Sequence, residues 1–263
     1  MLAPKNRIDA VFAQSTPGLW PFLAAGDPDL LVTEELLIRL ADSPIRGVEL
    51  GFPFSDPVAD GPVIQAAFNR ALEGGVHVAQ IFDMVARNRG RFPHPILAMV
   101  SASIVYRVDE FVARAARAGF DGLIVPDLSL EEAPSLAESI RSFGMHLSML
   151  VAPTTPADRR GKIAEVASGF LYYVSVQGIT GQRNRLSESL GAQVRQIKSE
   201  TSLPVLVGFG ISRPEHVREV CSIADGAIVG SAIVQHISQL ATQKASRSAI
   251  VDSAAMFIES LVA

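Results

Sequence analysis

Short apolar runs alternate along this chain with longer stretches of helical periodicity. Leu19 to Ala24 (LWPFLA) is an apolar run of strand length, closed by Gly26-Asp27-Pro28. Further runs of this kind are Gly47–Gly51, Pro95–Val100, Gly122–Pro126, His146–Val151, Phe170–Val176, Pro204–Val207 and Gly226–Val229. Between them, apolar residues recur at spacings of three and four, which predicts helices over Thr33–Leu40, Pro62–Leu72, Val76–Arg89, Val108–Ala118, Ala157–Ala167, Gln193–Lys198 and Pro214–Val220. Gly119 is placed to end its helix, and Ser129 to Glu132 reads as a capping box before another. A short helix over residues 4–14 leads the chain. A helical tail follows Ala232, with Ile237, Leu240, Ile250, Met256, Phe257 and Leu261 as expected anchors.

Eight strand patterns alternating with helices imply parallel strands joined by right-handed crossovers. Eight of them in 263 residues predict a closed (β/α)8 barrel of the TIM type with an extra N-terminal helix, in one domain spanning residues 1–263. Composition agrees: 48% hydrophobic and 19% charged residues suffice for a large core. The net charge of −4 argues against nucleic acid as the main ligand. The single cysteine, Cys221, excludes an intrachain disulfide and suits a reducing cytosol. No signal peptide and no membrane span are expected, because no apolar run reaches the required length.

One polar residue breaks the strand pattern. Glu49 stands inside the apolar run Val48-Glu49-Leu50, where a strand covered on both faces should carry none. Apolar surroundings disfavour its ionised form, so a raised pKa and a proton-transfer role are expected. The competing reading is a structural glutamate paired with a buried arginine or with backbone donors. Asp60 follows on a loop stiffened by Pro53, Pro57 and Pro62. Asp60-Gly61 alone reads as a turn pair, but two acids on one strand-loop unit point to a paired site at the carboxyl end of a barrel strand.

Glycine-bearing turns follow the last three strand patterns: Gly178 with Gly181, Gly208 with Gly210, and Gly230 with Ser231. Such turns let backbone amides approach an anion, and in this fold they predict a phosphate site. The five histidines are scattered without ligand spacing, so no metal is expected. Arg183 and Arg185, on the long loop after the sixth strand, are expected to face solvent or stabilise a lid rather than bind phosphate.

At these residues the chain resembles the tryptophan synthase alpha subunit family. The matching segments are LAAGDP (Leu23–Pro28), VELGFPFSDPVADGPVIQAA (Val48–Ala67), GLIVPDL (Gly122–Leu128), APTTP (Ala152–Pro156), YYVSVQGITG (Tyr172–Gly181), GFGIS (Gly208–Ser212) and GSAIV (Gly230–Val234). The resemblance implies retro-aldol cleavage of indole-3-glycerol phosphate to indole and glyceraldehyde 3-phosphate, without metal or organic cofactor. It implies that Glu49 shuttles protons and that Asp60 stabilises positive charge at the ring nitrogen. It places the indole pocket at Phe22, Tyr172 and Phe209, the phosphate site at Gly181, Gly210, Gly230 and Ser231, and Thr180 on a mobile loop. It further implies a cytoplasmic alpha2-beta2 heterotetramer whose beta subunit carries pyridoxal phosphate and faces the loop from Pro53 to Pro57.

One departure stands out. Ser101 and Ser103 occupy positions where the family usually carries tyrosine and asparagine. Smaller side chains there predict a looser or wetter pocket rim. Two other readings share part of this pattern. A different phosphate-binding barrel isomerase would keep the glycine turns but lack the segment from Glu49 to Asp60, and a catalytically weak subunit that mainly activates its partner would not need both acids.

Overall fold

A computed structural model of the chain describes residues 6–57, 60–107, 110–174, 188–208 and 210–262. Eight strands form its centre: β1 (Leu19–Ala24), β2 (Val48–Gly51), β3 (Ile96–Met99), β4 (Gly122–Ile124), β5 (His146–Val151), β6 (Leu171–Val174), β7 (Val205–Gly208) and β8 (Gly226–Val229). Each pairs in parallel with the next, and β8 pairs with β1, so the sheet is a closed barrel. The helices are α1 (Arg7–Ala13), α2 (Leu30–Arg39), α3 (Pro62–Glu73), α4 (Val78–Asn88), α5 (Ala102–Arg107), α6 (Phe111–Ala118), α7 (Ala133–Ser142), α8 (Ala157–Val166), α9 (Glu188–Glu200), α10 (Pro214–Cys221), α11 (Ser231–Thr242) and α12 (Arg247–Ser260). The architecture is the (β/α)8 barrel with a leading helix that the alternating pattern predicts.

Strand alternation divides the core in two. Val48 and Leu50 pack outward with the helices, among residues such as Leu36, Phe82 and Val85. Trp20, Phe22, Leu97, Ile124, Leu206 and Ile228 form the inner cluster. Glu49 lies between Val48 and Leu50 and therefore points into the barrel.

The amino-terminal end of the barrel is closed. Ile8 of α1 is fully buried, and Phe12 stacks on Trp20 at 5.9 Å between ring centroids. Asn6 caps α1 by accepting from the Ile8 backbone N–H at 2.8 Å, and Arg7 pairs with Asp121 at 3.0 Å. Gly47 leaves the space that the Trp20 ring fills. Among the described residues, the pocket that Glu49 lines lies at the opposite end, with the carboxyl ends of the strands.

The segment after β3, to which the sequence pattern assigns no element, forms α5, where Ser101 Oγ accepts from the Ser103 N–H at 3.2 Å and caps the turn. Two sequence expectations change. Ser129 and Glu132 make a turn just before α7 instead of a capping box. The Ser129 hydroxyl accepts from the Glu132 N–H and donates to its carboxylate, while Glu132 itself is the residue preceding the helix. Met256 is not an anchor but is 65% exposed. Ile250, Val251, Ala254, Ala255 and Ile258 form the buried face of α12, and Met256 falls on the other side. The small Ala254 and Ala255 let α12 lie close against α2, where Glu259 accepts from Ser43 at 2.7 Å.

Candidate active site

The stretch that carries both acids is built as strand, loop, helix. β2 ends at Gly51, and α3 begins at Pro62 with its first residue in the one position where proline costs no hydrogen bond. The loop between is held by its backbone. The Asp60 N–H donates to Pro57 O at 3.0 Å, and the Gln65 side chain donates to Asp60 O at 2.8 Å and Pro57 O at 3.3 Å. Gly61 has φ −74 and ψ 166, a conformation open to any residue. The turn is thus formed without the Asp60 carboxyl, which is left facing the barrel mouth.

There it meets Glu49. The two acids share a cavity of about 220 Å3 with Phe22, Ile64, Met99, Tyr172, Gly210, Ile228, Gly230 and Ser231. Glu49 is 1% exposed, and neither of its oxygens has a hydrogen-bond partner among the described residues. The arginine-paired or backbone-capped glutamate is therefore not what the fold builds. Burial in the apolar barrel pushes the Glu49 carboxyl up to about 8, with the charge of Asp60 adding to the effect. Asp60 is itself raised to about 6, first by burial and then by the carboxylate of Asp127. The Tyr172 hydroxyl is held well above its ordinary value by burial and by both acids, so it stays a neutral donor.

The aromatic walls depend on missing side chains. A Cβ at Gly51 would lie 2.5 Å from Phe22 Cζ and 3.0 Å from Phe68 Cζ. A Cβ at Gly208 would lie 2.5 Å from the Tyr172 hydroxyl. Glycine at these two strand ends gives the rings their places over the cavity. The loop after β1 is fixed from α3: Arg70 grips the buried Asp27 with two bonds, at 2.8 and 2.9 Å.

The far end of the cavity suits an anion. α11 starts at Ser231 behind Gly230, and no side chain caps it. Ser231 and Ala232 line the cavity at the first turn, where backbone N–H groups have no carbonyl of the helix to bond. Gly210 sits beside them at φ +75, a conformation that a residue with a side chain adopts only under strain.

The structure thus brings together Phe22, Glu49, Asp60, Tyr172, Gly210, Gly230 and Ser231. Thr180, Gly181 and Phe209, like Gly178, Arg183 and Arg185, lie outside the described residues. Sequence reasoning assigned no role to Asp127, which follows β4 and lines a second, small cavity of about 30 Å3 with Asp60, Met99 and Ser101. Its signal was the same as that of the other acids: a carboxylate just past the carboxyl end of a strand.

A sequence model of the tryptophan synthase alpha chain family matches residues 8–260. The chain belongs to that family. Similar relatives are the tryptophan synthase alpha chains of Prochlorococcus marinus (strain MIT 9313), 46% identical over 91% of each chain, and of Rhodopirellula baltica, 43% identical over 93% of this chain and 89% of the other. Among solved structures, tryptophan synthase subunit alpha from Legionella pneumophila str. Paris superposes with a TM-score of 0.87 at 36% identity, over 97% of both chains. The subunit from Pyrococcus furiosus gives 0.84 at 35%, over 92% of this chain and 96% of that one. The chain is accordingly a carbon–carbon lyase of tryptophan biosynthesis that cleaves indole-3-glycerol phosphate to indole and glyceraldehyde 3-phosphate. Among the described residues no helix is long and apolar enough to cross a membrane.

Proposed function

We propose that Glu49 carries the protons of this cleavage and that Asp60 balances the charge it creates. The observation behind the reading is one cavity with two carboxyls of different character: Glu49 raised to about 8 without a partner, and Asp60 raised only to about 6. At neutral pH the first holds its proton and the second is largely an anion.

The steps then balance. Glu49 gives its proton to the indole ring carbon that bears the side chain, and the ring becomes a cation centred on its nitrogen. The Asp60 carboxylate stabilises that cation. The Glu49 carboxylate next takes the proton of the adjacent side-chain hydroxyl. That C–O bond becomes the aldehyde carbonyl, the bond between ring and side chain breaks, and its electron pair returns to the ring. The products are indole and glyceraldehyde 3-phosphate, and Glu49 ends protonated as it began. Every proton that moves starts or ends on Glu49, so the two carboxyls account for the acid–base work, and membership of the family supports a reaction without a cofactor in this chain.

Phe22, Tyr172 and Phe209 would hold the indole ring. Gly181, Gly210, Gly230 and Ser231 would hold the phosphate through backbone amides at the start of α11, with Thr180 on the closing loop. Residues 1–263 would act as one domain. Membership of this family supports a beta subunit as partner; the alpha2-beta2 arrangement, the pyridoxal phosphate of the beta subunit and a cytoplasmic location belong to the same proposal. Indole release from indole-3-glycerol phosphate by the purified chain, with and without a beta subunit, tests it. Release by the chain alone that rises on adding the partner is the expected result. Activation of the partner with no release of indole would instead identify a non-catalytic subunit.

A further inference from the structure

Asp127 lies just beyond β4, and both of its oxygens are engaged. Ser101 Oγ donates to Oδ2 at 2.7 Å, and the Ala102 N–H donates to Oδ1 at 2.8 Å. Ser101 and Ser103 are in turn 3.0 Å apart, hydroxyl to hydroxyl. This network gives the two serines a definite task. Ser101 holds the carboxylate and Ser103 backs Ser101, and Ser101 and Asp127 line the smaller cavity that adjoins the substrate cavity at Asp60 and Met99.

Among the described residues, the charged and titratable groups facing Asp60 are all acids or phenols. Glu49 comes from β2, Tyr172 from β6, Asp56 from the same loop and Asp127 from beyond β4. The linings of the two cavities contain no lysine, arginine or histidine among the described residues. A carboxylate fixed at this place therefore acts on Asp60 with no cation among the described lining residues to cancel it.

We propose that Asp127 is a positioning residue of the lyase: braced by Ser101 and the Ala102 amide, it holds a negative charge beside Asp60 and governs when Asp60 keeps its proton. The inference rests on the role given to Asp60 above. It assigns the Ser101-Ser103 departure a function, since these side chains hold Asp127 instead of filling the rim.

Asp127→Asn removes the charge while leaving an oxygen to accept from Ala102 and Ser101, so the fold should stand. The full chain is labelled with 13C at its aspartate carboxyl groups, and the Asp60 signal, assigned by its loss in Asp60→Asn, is titrated. Removing a negative neighbour makes ionisation easier, so the Asp60 midpoint should fall by about one pH unit in Asp127→Asn. The acid limb of kcat/KM for indole release should move down with it. An unmoved Asp60 midpoint overturns the proposal, whatever happens to turnover. A midpoint that falls while the acid limb stays would leave the coupling intact and remove the catalytic role of Asp60 instead. Should Asp127→Asn unfold, Ser101→Ala and Ser101→Thr carry the same test. Alanine should shift the Asp60 midpoint and threonine should restore it, and identical titrations in all three chains overturn the proposal.

Discussion

The Glu49 carboxyl meets no hydrogen-bond partner among the described residues, and the charge that bears on it is that of Asp60. Burial raises both acids; the charge of Asp60 adds to the effect on Glu49, and that of Asp127 to the effect on Asp60, leaving Glu49 near 8 and Asp60 near 6. The mechanism needs the first protonated and the second anionic. The profile of kcat/KM against pH should therefore be a bell with its limbs at about 6 and about 8, the values of the free enzyme. A single limb, or a plateau extending past pH 9 (about one unit above the Glu49 value), would contradict the assignment.

The same burial has a cost in stability. The folded pKa of Glu49 lies above its ordinary 4.5, so its contribution to stability is whole below about 4.5 and is lost as pH rises toward 8. Glu49→Gln cannot ionise and should escape this loss. Its melting temperature should exceed that of the wild type at pH 8, by an amount worth on the order of a few kcal/mol, and the gap should close toward pH 4.5. Calorimetry at several pH values measures this directly. A constant offset at all pH values would mean that Glu49 does not carry a shifted pKa.

Gly208 and Tyr172 make a second test. Adding a methyl group in Gly208→Ala must displace the Tyr172 ring, whose hydroxyl lies 2.5 Å from the new Cβ position. Misplacing a wall of the indole pocket should lower kcat/KM roughly tenfold to a hundredfold. The bell-shaped profile should keep its limbs, because neither acid is touched. Unchanged kinetics in a folded variant would show that Tyr172 is no part of the pocket.

The phosphate site can be tested apart from the chemistry. Binding of glycerol phosphate, followed by calorimetry, should fall sharply in Gly210→Val, since that residue has φ +75 and its new side chain would obstruct the anion. Gly230→Ala should be milder, because its Cβ would rest at 3.4 Å from Phe22, an ordinary contact. Arg183→Ala should bind nearly as the wild type does. A large loss in the arginine variant with little change at Gly210 would move the phosphate elsewhere.

Legibility in the sequence followed the range of the interaction. The barrel was readable because each strand and helix carries its own period. Glu49 was readable because it interrupts an apolar run. α5 was not, because Ser-Ala-Ser-Ile-Val-Tyr follows a strand and is rich in β-branched residues. What turns it into helix is a serine cap together with a carboxylate 26 residues away. Asp127 was hidden for the same reason, since its partners come from the neighbouring strand's loop. The glycines were only half legible. Gly208 and Gly51 read as turn residues or room for a ligand, whereas the space they leave is filled by aromatic rings from adjacent strands and from α3. Met256 shows the limit of hydrophobicity alone, because the alanines beside it take the buried face of α12.

The central claim is that the buried Glu49 moves the protons. Indole release by Glu49→Gln, measured on a chain shown by circular dichroism to be folded, tests it most directly. Loss of a positioned proton donor and acceptor should cost at least about 10²–10⁴-fold in turnover, while glycerol phosphate still binds at the start of α11. Near-normal turnover in that folded variant would contradict the account.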